Sequence, residues 1–574
     1  MAGLDQGARD GLGNAIRRRA FLVRASAAVG ALGLAACSSG APPSNPTAPI
    51  PTSAPPAPAT GGATATSARV ATPPAAATGG PGANATSAPS GATTGHSGVV
   101  RVAFSDALTD DNLNPALQQK NFFIVPPQGL MYESLVKLDN NFQPKPYLAE
   151  SWEASNNSQT WVFKIKKGIP FHDGSTMTAK DVVWSLKSAM DPQSASTLYA
   201  QLKALLKPEN ITAVDDSTVK FQLEKPFVFF PNPLGVRNAR IFKDGYTSAD
   251  FARQPIGTGP FQFKSYTAGQ SFAATRFPNY WQTGKPMVDE VTFKNIPEAA
   301  SKMQALLTGD VDLIDNIAFA SSKQLQGTSY EPLPLKDAAW HGLICDLKVA
   351  PFDNPKVIQA LKLAVDRQQV QQTVYAGFAS VAADTTIPVS DPMFPEDLKP
   401  RERDVQAAKD LLKDAGYGSG LTLPFPLITV FGFGANNIAA AVKEQMAEAG
   451  ITIDIKEGGS TFWDTVWQKQ PFYIPDYNRR SPSEVFPLIS VTNAGQWMTH
   501  WSNQDFDAAV QAAAQTSDVS VQKQQYGKAI KLQNDNDGII LPAYASRLHA
   551  KAQQLQGVAT NFVEFFDFTD ARFA

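Results

Sequence analysis

The sequence predicts an α/β fold divided into at least two lobes, and three observations predict it. Between residues 421 and 455 a short strand, an amphipathic helix and a second strand follow with brief connections. That is a βαβ unit, the crossover that parallel strands require. Elsewhere strand-like alternation and helix-like periodicity are mixed, with no internal repeat. Finally, residues 98–574 hold more chain than one core accommodates, since cores stop growing beyond about 250–300 residues.

The chain has 574 residues, with 50 Lys+Arg against 52 Asp+Glu and two cysteines. A near-neutral balance argues against the concentrated basic face that nucleic-acid binding needs. Two cysteines exclude a disulfide framework and a four-cysteine zinc site. No run of 18 or more apolar residues is present, so no spanning helix is expected.

Residues 1–36 read as an export signal, not as structure. Arg9, Arg17, Arg18, Arg19 and Arg24 outnumber Asp5 and Asp10, and a short apolar stretch ends in Leu34-Ala35-Ala36-Cys37. Arg18-Arg19-Ala20-Phe21-Leu22 resembles the twin-arginine export motif, and the segment ending at Cys37 resembles a bacterial lipobox. Lipidation would therefore fall on Cys37, and two or more acyl chains hold a protein stably on a membrane. Residues 37–97 continue as a tether built almost entirely from Ala, Pro, Thr, Ser and Gly, in which Arg69 is the one charged side chain. Such a segment buries too little apolar surface to offset chain entropy. As a flexible coil it would span ~40–45 Å.

The folded part begins at Gly98. Residues 161–166 alternate apolar and charged, as in a half-buried strand. Gly168 and the run from His172 to Ser175 are turn signals. Thr178 and Asp181 form a box-like helix start, with Val182, Leu186 and Ala189 on one face. Val219, Phe221 and Leu223 mark another strand. Met303, Leu306 and Leu307 share a helical face ending at Gly309, before a strand of Val311, Leu313 and Ile314. Asp353 is read as the cap of a helix with the face Val357, Ala360, Leu361, Ala364 and Val365. Asp404 starts the next, which Gly416 closes. The βαβ unit then comprises a strand at 421–423, a helix bearing Ile438, Val442 and Met446 up to Gly450, and a strand at 451–455.

Catalytic constellations are missing. There is no G-x-S-x-G and no H-E-x-x-H, and the Gly284-Lys285 and Gly257-Thr258-Gly259 stretches lack the spacing of a phosphate loop. Asp215-Asp216 reads as a solvated face, His172-Asp173 as part of a turn, and Cys345 as a plain buried thiol. Neither a metal nor a cofactor is expected.

Several stretches, in order, are similar to the extracellular solute-binding proteins of family 5, the oligopeptide, dipeptide and nickel type that serves ABC importers. They are Leu113-Asn114-Pro115, Tyr132-Glu133-Ser134-Leu135-Val136, and Pro146-Tyr147-Leu148-Ala149-Glu150-Ser151-Trp152. The most diagnostic is the run from Phe163 through Phe171-His172-Asp173-Gly174 to Thr178-Ala179-Lys180-Asp181-Val182. Gly257-Thr258-Gly259-Pro260-Phe261, Gly309-Asp310-Val311-Asp312 and Ala364-Val365-Asp366-Arg367 follow. Two departures concern the hinge: Cys345-Asp346 stands where the family has an aromatic-Asn pair, and Ile358 stands where it has Arg.

The resemblance implies a bilobal periplasmic-binding-protein-like fold with a ligand cleft between the lobes. The first lobe would comprise 98–136, 253–337 and 536–574, with an inserted subdomain at 137–252, and the second lobe 338–535. It implies no catalysis; ATP hydrolysis would belong to the permease's ATPase subunits. Ligand contacts would come from 475–484, aligned in one of two ways. Asp476-Tyr477 resembles the form that pairs a peptide's amino group. Arg480, followed by Pro482 and Glu484, resembles a W-x-G-R-x-x-P-D form that would anchor a carboxylate or hydroxyl, and is the preferred alignment. Trp497 and Trp501 are candidates for stacking on a ligand. Trp340 and His341 lie near the expected hinge. The function expected is a monomeric, lipid-anchored receptor for a peptide or similar solute. The alternative is a twin-arginine-exported enzyme or cofactor-binding protein.

Overall fold

The computed structural model describes residues 98–117, 123–430 and 434–574. The export signal, Cys37 and the tether lie outside the described residues. Among the described residues no helix is long and apolar enough to cross a membrane.

Two separate hydrophobic cores account for the two lobes. The first gathers Val100, Phe163, Phe221, Phe293 and Phe568, and the second Trp340, Leu361, Ile438, Tyr473 and Ile530. Each core has its own sheet. In the first, Val99–Phe104 lies parallel to Glu290–Asn295 and to Leu313–Ile314. Ser271–Arg276 and Phe261–Thr267 extend that sheet on one side by antiparallel pairing. An inserted antiparallel sheet of Ala149–Ser155, Thr160–Ile165, Thr218–Gln222 and Ile211–Asp215 packs into the same core. In the second, five strands run in the order Ile455–Glu457, Leu427–Thr429, Phe472–Ile474, Leu343–Cys345 and Ile539–Ile540.

The chain passes between the sheets twice. Tyr330–Trp340 belongs to the first sheet, and Leu343–Cys345 follows in the second. Ile539–Ile540 closes the second, and Ala543–Ala552 returns to the first, antiparallel to Tyr330–Trp340. This two-stranded ribbon joins the lobes.

Local sequence signals account for many elements. The half-buried strand forms at Thr160–Ile165. Thr178 and Asp181 make the expected reciprocal cap at the start of Ala179–Ala189, and Val182, Leu186 and Ala189 are buried. Asp404 caps Val405–Asp414 by accepting the Ala407 N–H at 2.8 Å. The βαβ unit is present, with Leu421–Thr422 parallel to Ile451–Thr452 beyond the helix Ala435–Glu448.

Two details differ. Asn354, not Asp353, caps Pro355–Ala364, accepting the Lys356 N–H at 3.0 Å. Pro355 at the first helical position has no N–H of its own to satisfy, which sets the cap beside it. The strand expected at 451–455 is two strands, Ile451–Thr452 and Ile455–Glu457, in different sheets. Its backbone hands over from one partner to the next: Leu423 N–H donates to the Thr452 carbonyl, and Leu427 N–H to that of Asp454.

The family-like stretches build a buried joint in the first lobe. A Cβ at Gly257 or Gly259 would run into the Met131 or Leu130 carbonyl, so only glycine lets these chains meet. Glu133 accepts bonds from Thr258 Oγ1 at 2.9 Å, Tyr280 Oη at 2.6 Å and Trp281 Nε1 at 3.0 Å. His172 clamps the same loop: its Nδ1 accepts from the Gly257 N–H at 3.3 Å and its Nε2 donates to the Gly259 carbonyl at 2.9 Å.

Burial pushes the His172 pKa down to about 4, against the opposing Gly259 carbonyl and Asp173 charge. Burial, then the charges of Arg547 and Lys302, push His549 down to about 3. Both rings stay neutral where an unfolded chain, with histidine near pH 6.5, takes up protons. The unfolded state thus binds more protons below about pH 6.5, and the stability present above that pH is lost as pH falls towards 4. Guanidinium melts at pH 7 and pH 5 are expected to show this loss, and His549→Gln to reduce it. An equal pH dependence in the variant would refute the assignment to His549.

Candidate functional site

Cavities open on the ribbon between the lobes. One, of about 240 Å³, is lined from the first lobe by Phe142, Gln201, Arg237 and Phe562. The second lobe contributes Arg479, Arg480 and Glu484, and the ribbon Leu335, Ala338 and Arg547. Another, of about 490 Å³, lies among Asn316, Phe319, His341, Thr373, Asn437 and Asp476. Arg547 lines both.

The short segment 476–484 reaches these cavities because Tyr477–Asn478 pairs with the crossing strand at Ala339 and Trp340. Ser481 then turns the chain into a short helix beginning at Pro482. Arg480 therefore lines the first cavity. Among the described residues it makes no ion pair, and its Nε is buried without a hydrogen-bond partner. Its guanidinium lies 5.9 Å from the Tyr477 ring centroid. Burial raises the Tyr477 phenol, and the Arg480 charge draws it back, leaving it pushed up to about 12.

Arg479, next in line, is committed elsewhere. It is buried, donates to Asp391 at 3.2 Å, and lies over the stacked rings of Phe142 and Phe562 from the first lobe. Glu484 accepts from Gln201 Nε2 at 3.0 Å, a hydrogen bond across the lobes, and from Ser481 Oγ at 3.1 Å.

Asp476 lines the second cavity; its Oδ1 is buried without a hydrogen-bond partner, but both oxygens have basic side chains within ion-pair distance. His341 Nε2 lies 3.0 Å from one oxygen and an Arg547 nitrogen 3.5 Å from the other. Burial acts to raise the Asp476 pKa, yet these partners hold it below the usual range.

The aromatic candidates make packing contacts. Trp340 is fully buried against the Tyr477 ring, and Tyr477 Oη donates to Gln496 at 2.6 Å. Trp501 is buried against Phe506. Trp497 donates its indole N–H to the Trp501 carbonyl, and Lys348 lies over its ring. Neither Trp497 nor Trp501 lines either cavity. Cys345 is buried and unbridged, and burial pushes its thiol up, as expected of a plain core thiol.

The sequence reading did not find Phe142, Gln201, Arg237, Arg547 or Phe562. These come from distant parts of the chain and meet only through the fold. Among them, Phe142 carries a local signal, a positive φ of 57° within a turn.

Residues 143–517 match the family described as bacterial extracellular solute-binding proteins, family 5 Middle. This chain belongs to that family. The glutathione-binding protein GsiB of Shigella flexneri is 28% identical to this family 5 protein over 335 residues, covering 56% of this chain and 63% of that relative. The chain thus spans less than two thirds of the length of those relatives. Heme-binding protein A of Haemophilus influenzae is 28% identical over 409 residues, 64% of this chain and 73% of its own. The structure of HbpA2 from Haemophilus parasuis shares the fold, with a TM-score of 0.73 at 23% identity, over 83% of this chain and 100% of that one.

Proposed function

We propose that this chain is an extracytoplasmic receptor that takes up a peptide or similar small solute between its lobes and delivers it, chemically unchanged, to an ABC permease. The observation that carries the reading is the cavity between two independent cores, lined from both lobes and the ribbon, with Arg480, which makes no ion pair among the described residues, in its lining. Clefts between lobes remove a ligand from water while few hinge residues move. The lobes that would close are 98–136, 253–337 and 536–574, with the insertion 137–252, against 338–535.

Arg480, not Asp476, would anchor the ligand. Asp476 has His341 and Arg547 within ion-pair distance, whereas Arg480 makes no ion pair among the described residues and carries a fork of donors suited to a carboxylate. Trp340, His341, Tyr477, Trp497 and Trp501 would act indirectly, by holding the segment that carries it.

The decisive experiment is mass spectrometry of the solute that co-purifies, followed by thermal shift with that solute. A receptor gains about 2.7 kcal/mol at a hundredfold excess over Kd. Recovery of a converted product, or of no solute with no shift by any candidate, would defeat the reading. The same reading places the protein on the membrane through lipid on Cys37, as a monomer on its tether. Cys37→Ala is expected to move it from the membrane fraction to the soluble fraction, and continued pelleting would refute the anchor.

A further inference from the structure

The first cavity presents a hydrogen-bond acceptor as well as the Arg480 donors. Much of its polar lining is already bonded within the protein. Asn232 Nδ2 donates to the Phe142 carbonyl at 2.7 Å, Asn478 Oδ1 accepts from Arg547 at 2.6 Å, and Arg479 donates to Asp391 at 3.2 Å. Among the described residues, the lining atoms buried without a hydrogen-bond partner are Gln201 Oε1 and the Nε atoms of Arg479 and Arg480. Gln201 Oε1 is the acceptor in that group.

Local sequence fixes where Gln201 stands. Ser196 accepts the Tyr199 N–H at 2.9 Å and so caps the helix Thr197–Leu202. Leu198 and Leu202, one turn apart, seat that helix in the first core. Across the cavity, Glu484 lies in the short helix Pro482–Val485, which Val485 and Phe486 tie to the second core. The lobes also touch through Phe229 of the insertion, which packs against the second core with its ring centroid 6.4 Å from that of Tyr526. Tyr526 in turn contacts Phe486.

The bond to Glu484 orients the Gln201 amide. A carboxylate accepts hydrogen bonds and does not donate them. Gln201 therefore turns its Nε2 to Glu484, at 3.0 Å, and the amide oxygen is left over. A buried acceptor without a donor weakens the arrangement that buries it, because it has lost water and gained no partner. A solute N–H or O–H that reaches Oε1 removes that penalty, and does so only while the lobes are together. Arg480, four residues before Glu484, stands on the same segment of the second lobe. One solute can thus meet Arg480 from one lobe and Gln201 from the other.

We propose that Gln201 is a specificity-determining residue, whose amide oxygen accepts a hydrogen bond from an N–H or O–H of the solute that Arg480 holds by its carboxylate. The cargo is then an acid with a hydrogen-bond donor set apart from its carboxylate, as in an acylated amino acid. An apolar body suits the lining of Leu138, Phe142, Val236 and Phe562. This rests on the receptor reading above and adds to it the group on the solute that the first lobe reads.

The test crosses variants with probes that differ in one donor. Solute released from protein purified from its own membranes is identified by mass spectrometry. The stripped, detergent-solubilised full chain is then titrated calorimetrically with hippurate and with benzoyloxyacetate, in which an ester oxygen replaces the amide N–H. N-acetylphenylalanine and O-acetylphenyllactate form a second set. The released solute and its derivatives with donors methylated one at a time form a third.

The expected result is a released solute with a carboxylate and a separate N–H or O–H. In a set that binds, the form with the donor should bind about tenfold tighter than the form without it. Gln201→Met and Gln201→Ala, which remove the acceptor, should each bring that ratio close to one. Arg480→Gln should weaken both forms alike and keep the ratio near its wild-type value. A released solute without a carboxylate, or without such a donor, overturns the proposal while the receptor reading stands. So does equal affinity for the two forms in every set that binds. A ratio that neither Gln201 variant changes overturns it as well, since a purely structural glutamine would weaken both forms together. If no solute is released and no probe of any set binds, the receptor reading fails, and this proposal with it.

Discussion

Arg480→Ala is expected to weaken ligand binding by about tenfold to a hundredfold, the cost of leaving a charged hydrogen-bonding group of the ligand without its partner. The apo protein should hardly notice the change. Arg480 makes no ion pair among the described residues, and its Nε has no hydrogen-bond partner, so truncation breaks no pair that holds the fold. Its neighbour Arg479 behaves oppositely: it is buried and paired with Asp391, and its loss should damage the second lobe. Comparing the two variants separates recognition from stability within adjacent residues. Arg480→Lys should fall between, because lysine keeps the charge but loses the planar fork that meets a carboxylate with two bonds. Titration calorimetry with the co-purified solute, beside a melting curve of the ligand-free protein, reads both quantities. An unchanged Kd in Arg480→Ala would remove Arg480 from the site.

What the sequence made legible divides along a physical line. Thr178 with Asp181, and Asp404 with Ala407, are contacts between residues three apart, so their geometry follows from the local chain. The alternation at 161–166 is equally local, because period two places one face in the core. The misplaced cap at Asp353 is a local misreading, since Pro355 beside Asn354 sets the cap, whereas the strand drawn through 451–455 lies where tertiary partners decide, here the successive handover from Leu423 to Leu427. The site follows the same division. Arg480 was visible because a local motif surrounds it. Arg237, Phe142 and Phe562 were not, since the first lobe's insertion and C-terminal segment bring them together across the chain. Trp497 and Trp501 show the converse: a packing ring and a ligand-facing ring share one sequence signature, and neither of these two lines the cavities described above.

Asp384→Ala should cost the second lobe about 3–5 kcal/mol, the usual loss when one partner of a buried ion pair is removed. Asp384 is completely buried, and Arg367 Nη2 donates to both of its oxygens at 2.7 Å. Its Oδ1 also accepts the Leu541 N–H at 3.0 Å, at the point where the chain leaves the second sheet for the ribbon. Arg401 approaches the other oxygen at 3.4 Å. Without the carboxylate, the Arg367 guanidinium keeps its bonds to the Lys362, Val365 and Arg401 carbonyls but loses its counter-charge in a site that water does not reach. The Leu541 N–H is orphaned at the same time. Because the lobes have separate cores, the loss should not spread evenly. Hydrogen exchange should accelerate in the helices Pro355–Ala364 and Val519–Asn536, and leave Val99–Phe104 and Thr160–Ile165 protected. Asp384→Asn, which keeps the shape and one acceptor, should lose less. Equal acceleration in both lobes would mean that the ribbon couples them into one cooperative unit, and the picture of two bodies closing about a hinge would then need a different mechanical basis.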